Sequence, residues 1–254
     1  MSRLVAKNPS SSAIYETCRS YVNGYRNENN DDFRTNGELR FMQEQLVNCD
    51  VVFDVGANVG DWAAIALEIN PSLKLHCFEP SRPTFEKLLK RPFQDNAHRN
   101  HFGLGAAAEV KTLHVFEEGA GHNSLYQRRG LEDGWDLRPQ TLTETVRLEM
   151  LDWYCAEHCI NEIDFLKLDV EGHELSVFQG ATVSLRAGKI KAIQFEYGGC
   201  NIDSKVFLKD IFEFFEPLPY SFFKLYPNEL RPVVRYDQRL ENFQFQNWAI
   251  IRNG

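Results

Sequence analysis

No apolar run in this chain approaches the roughly 20 residues needed to cross a bilayer, so no helical membrane span is expected. The opening stretch, MSRLVAKNPSSS, lacks the apolar core of a secretory signal, and the expectation is a cytoplasmic protein. Cysteine is sparse, six residues at 18, 49, 77, 155, 159 and 200, in no pattern resembling a disulfide framework. Cys155, His158 and Cys159 have no second Cys/His pair at zinc-finger spacing, so no metal site is expected. Basic charge is also short: 28 Lys and Arg stand against 36 Asp and Glu, a formal net charge of −8. That balance gives no general attraction to nucleic acid or to anionic lipid. Internal repeats and linkers are missing too, which leaves one domain as the simplest organisation.

The composition suits that domain. Of 254 residues, 43% are hydrophobic and 25% charged, ordinary for a globular protein large enough for one α/β unit. Residues 1–36 read as a polar N-terminal segment, and 37–254 as the domain itself. Its organising stretch is VVFDVGANVG at 51–60. Four apolar residues make a strand buried on both faces, glycines make a tight turn, and DWAAIALEI follows as a helix. Strand, turn and helix open a doubly wound sheet, whose ligands bind at strand carboxyl ends.

The dinucleotide fingerprint G-x-G-x-x-G is not met, because Asn58 and Asp61 stand where two of its three glycines belong. A helix N-terminus attracts anions, yet Asp54 and Asp61 beside it repel a pyrophosphate. A phosphate-free ligand with cationic groups suits the turn better. S-adenosylmethionine is such a ligand, with a sulfonium, an amino group, and a carboxylate that backbone N–H groups of the turn can hold.

Further along, LKLHCF at 73–78 reads as the second strand. Glu79 closes it, 19 residues after Gly60, at the spacing where such folds bind ribose hydroxyls. A third strand is expected at 99–104. The pattern then changes: VKTLHVF and TETVRLEML alternate as strands around a loop at 117–130, which predicts an antiparallel insertion before the fourth core strand. Gly121-His122-Asn123-Ser124 is either a segment that reaches over the cleft or the tip of a plain surface hairpin, the two readings being equal from sequence. IDFLKL at 163–168 and IKAIQF at 190–195 are the clearest later strands. They end at Asp169 and Glu196, and D-x-E-x-H at 169–173 turns into a helix. SFFKLY and FQFQNWAII supply the last two strands, with 226–244 read as a loop. Transfer of a methyl group from a sulfonium is an in-line displacement that rewards positioning. With an alcohol acceptor, Asp169 or His173 is a candidate base; two carboxylates there are alternatively a divalent-cation site.

These segments, VVFDVGANVGDW, CFEPSRPTFEKL, IDFLKLDVEGHELSVFQGA and AIQFEYGG, resemble the FkbM family of S-adenosylmethionine-dependent methyltransferases over about residues 37–252. K-x-D-V-E-G-x-E at 167–174 is the most specific mark. The resemblance implies a Rossmann-like class I methyltransferase sheet of seven strands, the last antiparallel, and O-methylation of a sugar, glycan or natural-product hydroxyl. It implies cofactor contacts at Asp54, Gly56, Ala57, Asn58, Gly60, Glu79, Pro80, Ser124 and Asp169. Lys167, Asp169, Glu171, His173 and Glu196 become the catalytic candidates, although His173 stands where the family often has a small residue. Two other readings remain. An RNA ribose 2′-O-methyltransferase, suggested by Lys167, Asp169 and Glu196, would bind RNA in a salt-dependent way. A non-catalytic relative would bind cofactor without turnover.

Overall fold

The computed structural model describes residues 11–116, 121–128 and 142–254. The first ten residues, and the parts of the insertion at 117–120 and 129–141, lie outside them. Within the described residues, Ser12–Arg26 form helix α1 and Glu38–Leu46 form α2. Strand β1 (Val51–Val55) leads through the glycine turn into α3 (Asp61–Ile69), and β2 (Lys74–Phe78) into α4 (Arg82–Leu89). Pro83 lies in the first turn of α4, where its missing N–H costs nothing.

The expected third strand is two short ones in different sheets, β3 (Ala97–Asn100) beside β2 and β4 (Gly103–Leu104) in a small sheet. β4 pairs parallel with β6 (Leu142–Glu149), which pairs antiparallel with β5 (Glu109–Val115). The insertion is therefore mostly antiparallel, as expected, but anchored by one parallel pair. The remaining core elements are α5 (Leu151–Glu157), β7 (Ile163–Leu168), α6 (Glu174–Gly180), α7 (Thr182–Arg186) and β8 (Ile190–Tyr197). They are followed by α8 (Cys200–Ser204), α9 (Leu208–Phe215), β9 (Tyr220–Leu225), β10 (Leu230–Val233) and β11 (Gln246–Arg252).

The main sheet runs β10-β9-β11-β8-β7-β1-β2-β3. β3, β2, β1, β7 and β8 are mutually parallel, and β11 lies antiparallel between β8 and β9. The expected sheet of seven strands has an eighth, because β10 pairs antiparallel outside β9. It falls in the stretch read as a loop: Pro232 breaks the strand signal, yet proline is tolerated on an edge strand such as this. The chain winds outward from β1 through β2 to β3, then returns to β7 on the other side. This reversal between β1 and β7 is the switch point at which doubly wound sheets form their ligand crevice.

Alternation along β1 assigns the two faces. Phe53 and Val55 join Phe78, Tyr154, Leu166, Phe178 and Trp248 in one buried cluster. Val52 joins Phe41, Met42, Trp62, Phe165 and Ala249 in the other, under α2 and α3. Asp54 shares the second face and is fully buried at 0% exposure, beside Lys167 on the adjacent strand. A charged pair in an otherwise apolar layer is the feature of the fold that core packing does not explain.

Candidate active site

The turn after β1 is held to β2 by its backbone: the N–H groups of Gly56 and Ala57 both donate to the Phe78 carbonyl at 3.0 Å. Gly56 has φ +79°, and a Cβ there would sit 1.8 Å from the Asp169 carbonyl oxygen. No side chain fits, so this glycine is what lets the ends of β1 and β7 meet. Asn58 also takes positive φ, which asparagine tolerates better than most residues.

Glu79 lies at the end of β2. Its carboxylate accepts from the Asn58 N–H at 3.0 Å and from the Ser81 N–H at 2.8 Å. Burial raises its carboxyl to about 7, against the pull of those two donors. Each oxygen retains acceptor capacity after one backbone bond, as a ligand presenting hydroxyl donors requires. The glycine turn and Glu79 form one wall of a cleft of about 680 Å³, counting its open mouth. Pro80, Gly103, Leu104, Leu148, Asp169, Val170, Glu171 and His173 line it as well. Its lining, apolar side chains with a few convergent polar groups, is of the kind that small-molecule sites have.

Lys167 and Asp169 sit at the end of β7. The Lys167 ammonium lies 3.4 Å from Asp54 Oδ1 and 3.3 Å from Asp169 Oδ2. Burial opposes its charge, but Asp54 and Asp169, with Glu38 and Glu196 behind them, hold it above the usual lysine range. The Asp169 side chain is about one-third exposed (33%), so it joins the buried lysine to the open cleft. Asp54 touches the cleft only through this chain, and burial draws its own carboxyl upward while Lys167 draws it back.

Glu171 and Gly172 both take positive φ, and a Cβ on Gly172 would approach the Cys200 carbonyl oxygen to 2.9 Å. The segment 121–128 straps this turn. Ser124 Oγ donates to the Glu171 carbonyl at 2.9 Å, while its backbone exchanges hydrogen bonds with His114. Arg128 pairs with the Glu171 carboxylate at 2.6 Å, and His122 Nδ1 lies 3.7 Å from it. Burial raises the Glu171 carboxyl, with His122 and Arg128 opposing. Tyr126 Oη lies 2.9 Å from His173 Nδ1. Gly121, Asn123, Ser124 and Leu125 all line the cleft, so the segment reaches it and is not a plain surface hairpin.

His173 is buried at 2% exposure, not a solvated helix-end residue, and burial lowers its imidazole to about 4. It is neutral at pH 7. Glu196 ends β8 opposite Asn247, off the cleft wall, and burial together with Asp169 and Glu38 pushes its carboxyl well up. Sequence reasoning missed Glu38, whose carboxylate accepts from Gln194 at 2.7 Å and faces Lys167 and Asp169 electrostatically. It also missed Tyr126 and Arg128, because only the tertiary fold brings the insertion onto the β7 turn.

Five buried groups set a pH dependence. Burial raises Glu38 and Glu79 to about 7 and Glu174 to about 8, and it lowers His76 to about 3 and His173 to about 4. The glutamates bind more protons folded than unfolded, so their stabilisation is complete below about pH 4.5 and is lost as pH rises toward 8. The histidines bind fewer, so theirs is complete above about pH 6.5 and is lost as pH falls toward 3. Between pH 6.5 and 8 only the glutamates of this set are changing. The melting temperature of the ligand-free protein should fall across that interval, and a rise in a calorimetric scan would contradict the assignment.

A doubly wound sheet with an antiparallel strand beside β8, a glycine turn after β1 and acids ending β2 and β7 defines a class I methyltransferase-like α/β protein. Residues 54–222 match the Methyltransferase FkbM domain, and the chain belongs to that family. It is 23% identical over 160 residues to the hexuronic acid methyltransferase AglP of Haloferax volcanii, a match covering 63% of this chain and 62% of that protein. Among solved structures, it is similar to a methyltransferase FkbM from Methylobacillus flagellatus. There the identity is 15% and the TM-score 0.46, over 80% of this chain and 44% of that one. It is also similar to a putative rRNA methylase from Clostridium thermocellum, at 8% identity and TM-score 0.49, over 85% and 93% of the two chains. No helix among the described residues is long and apolar enough to cross a membrane.

Proposed function

We propose that this protein transfers a methyl group from S-adenosylmethionine to a hydroxyl of a sugar, glycan or natural product. The observation that carries the reading is Asp169: a carboxylate on the cleft lining, one-third exposed on one side and held by buried Lys167 at 3.3 Å on the other. The cleft residues fit the cofactor. Glu79 offers acceptor lone pairs suited to ribose hydroxyls, and Gly56 and Asn58 of the turn line the cleft beside it.

When bound, S-adenosylmethionine supplies a methyl group already activated by its sulfonium. The protein's own task is then placement and proton handling. Asp169 accepts a hydrogen bond from the acceptor hydroxyl, orients its oxygen and takes its proton as the new C–O bond forms. Lys167, 3.3 Å away, fixes the orientation of that carboxylate. Glu171, engaged by Arg128, holds the strap in place, and neutral His173 holds Tyr126; both are positioning residues on this reading. The curated relative, by its name, methylates a hexuronic acid, which favours sugar acceptors in general.

Calorimetric titration with S-adenosylhomocysteine tests the cofactor, and a labelled methyl donor offered with hydroxylated acceptors tests the reaction. Glu79→Ala should weaken S-adenosylhomocysteine binding by roughly ten- to a hundredfold, as expected for hydrogen bonds to a charged group worth about 1.5–3 kcal/mol. Equal affinity in this variant would remove Glu79 from the cofactor site.

A further inference from the structure

Helix α1 packs none of its side chains into the domain: not one of its 15 residues is buried. Ile14, Tyr15, Tyr21, Val22 and Tyr25 are all exposed, Tyr21 to 74%, and so is Cys18. At about 100° per residue these six positions fall in one stripe about 120° wide, the width with which an ordinary surface helix meets its core. Here the stripe meets no core. The helix is held to the domain by its C-terminal end instead. Asn27 Nδ2 donates to the Asn36 and Leu225 carbonyls, and Gln246 Nε2 donates to the Arg26 carbonyl.

That end adjoins a basic groove. Arg26, Arg231, Arg235 and Arg239 line it, beside the buried pair of Lys224 and Glu28 at 3.6 Å. Asp237 pairs with Arg239 and Glu229 with Arg231, both at 2.7 Å. Arg26 and Arg235 have no ion pair among the described residues, and residues 1–10 hold Arg3 and Lys7 but no acid. The groove is therefore net positive in a chain whose formal charge is −8. Tyr25 links groove and stripe, since it belongs to the stripe and lies close enough to Arg231 to act on it electrostatically. Between Arg231 and Arg235, just past β10, Val234 stands 96% exposed.

We propose that this face, the stripe of α1 with the arginine groove beside it, docks the protein reversibly on an anionic phospholipid surface. Amphipathic helices bind there with the apolar face at the boundary of headgroups and acyl chains, and arginines add attraction to anionic lipid. Tyrosine suits that boundary, because its ring is apolar and its hydroxyl stays wet. The overall negative charge does not oppose this, because exposed charges are screened beyond roughly 8 Å at physiological ionic strength and the local groove decides. A second copy is the poorer occupant. Lying parallel on the stripe it would set two net-positive grooves side by side, and lying antiparallel it would leave neither groove neutralised. An anionic lipid surface covers the stripe and neutralises the groove together.

The test is co-sedimentation of the full chain with phosphatidylcholine vesicles, with and without phosphatidylglycerol. The protein should sediment with the anionic vesicles, and added salt should release it. Arg235→Gln should weaken that binding by about fivefold, the factor that corresponds to ~1 kcal/mol per arginine near an anionic leaflet. Tyr21→Ser should weaken it by roughly tenfold through lost apolar burial. Both side chains are exposed, so neither change should move the melting temperature. Val234→Trp supplies a direct reporter, whose emission should shift to the blue on the anionic vesicles alone. No sedimentation with the anionic vesicles overturns the proposal, and so does binding that both variants keep in full. Equal binding to the two kinds of vesicle overturns it too, because the groove then plays no part. A concentration-dependent dimer that Tyr21→Ser dissolves, in a protein that ignores vesicles, overturns it in favour of a second copy on the stripe.

Discussion

Asp169→Asn is expected to lower kcat by roughly a hundred- to ten-thousandfold, the range typical of losing a positioned base, with the fold intact. Asparagine keeps the shape, and the backbone N–H of residue 169 still donates to the Val55 carbonyl at 3.0 Å, so the junction of β1 and β7 is undisturbed. Two things change. The proposed proton acceptor becomes an amide that binds no proton near neutral pH, and Lys167 loses one of its two carboxylates. Because Asp54 still neutralises that lysine, the melting temperature should move by only a few degrees. Measuring S-adenosylhomocysteine affinity beside single-turnover rates divides the roles. A slow rate with unchanged affinity puts Asp169 on the acceptor; a parallel loss of affinity puts it on the cofactor. Turnover equal to the parent protein would remove it from the mechanism.

The parts of this molecule that sequence made legible share one property: their signal is local. VVFDVGANVG announces strand, turn and helix within ten residues, because apolar β-branched residues and glycines act on their own backbone. Glu79 and Asp169 are legible for the same reason, each ending an unambiguous strand. Three kinds of feature escaped. β10 was hidden by Pro232, whose effect depends on whether a strand is central or at an edge, and only the sheet order decides that. Sequence places His173 at a helix start as a candidate base, but not its burial, which comes from strap residue Tyr126 and the close approach of Gly105. Glu38, Tyr126 and Arg128 approach the β7 end from elements distant in sequence, and nothing in their own neighbourhoods marks them. Asp54 is an intermediate case. Its position at the β1 end is plain, but its full burial against Lys167 follows from which face of β1 packs under α2 and α3.

That buried pair gives the largest expected effect on stability. Lys167→Met should destabilise the protein by about 3–5 kcal/mol, the usual cost of leaving a buried charge without its partner. For a chain of this size that corresponds to a melting temperature lower by about 10 °C. Methionine fills much of the lysine's volume beside Trp62, so packing is not the main loss. The loss is at Asp54, fully buried, with neither oxygen hydrogen-bonded apart from its approach to the ammonium at 3.4 Å. Without Lys167 nothing opposes burial, and the carboxyl must stay protonated to remain inside. A raised carboxyl stabilises the fold fully only below its unfolded-state value near 4, so the deficit should be small in acid and grow steadily as pH rises toward 8. Asp54→Asn combined with Lys167→Met removes the charge that needed compensation and should recover much of the lost stability while methyl transfer stays impaired, since Asp169 then has no cation to orient it. Equal melting of the single and double variants at pH 8 would show that the lysine stabilises the fold through its aliphatic stem instead of its charge. A single variant as stable as the parent would mean that Asp54 already carries a proton in the native protein.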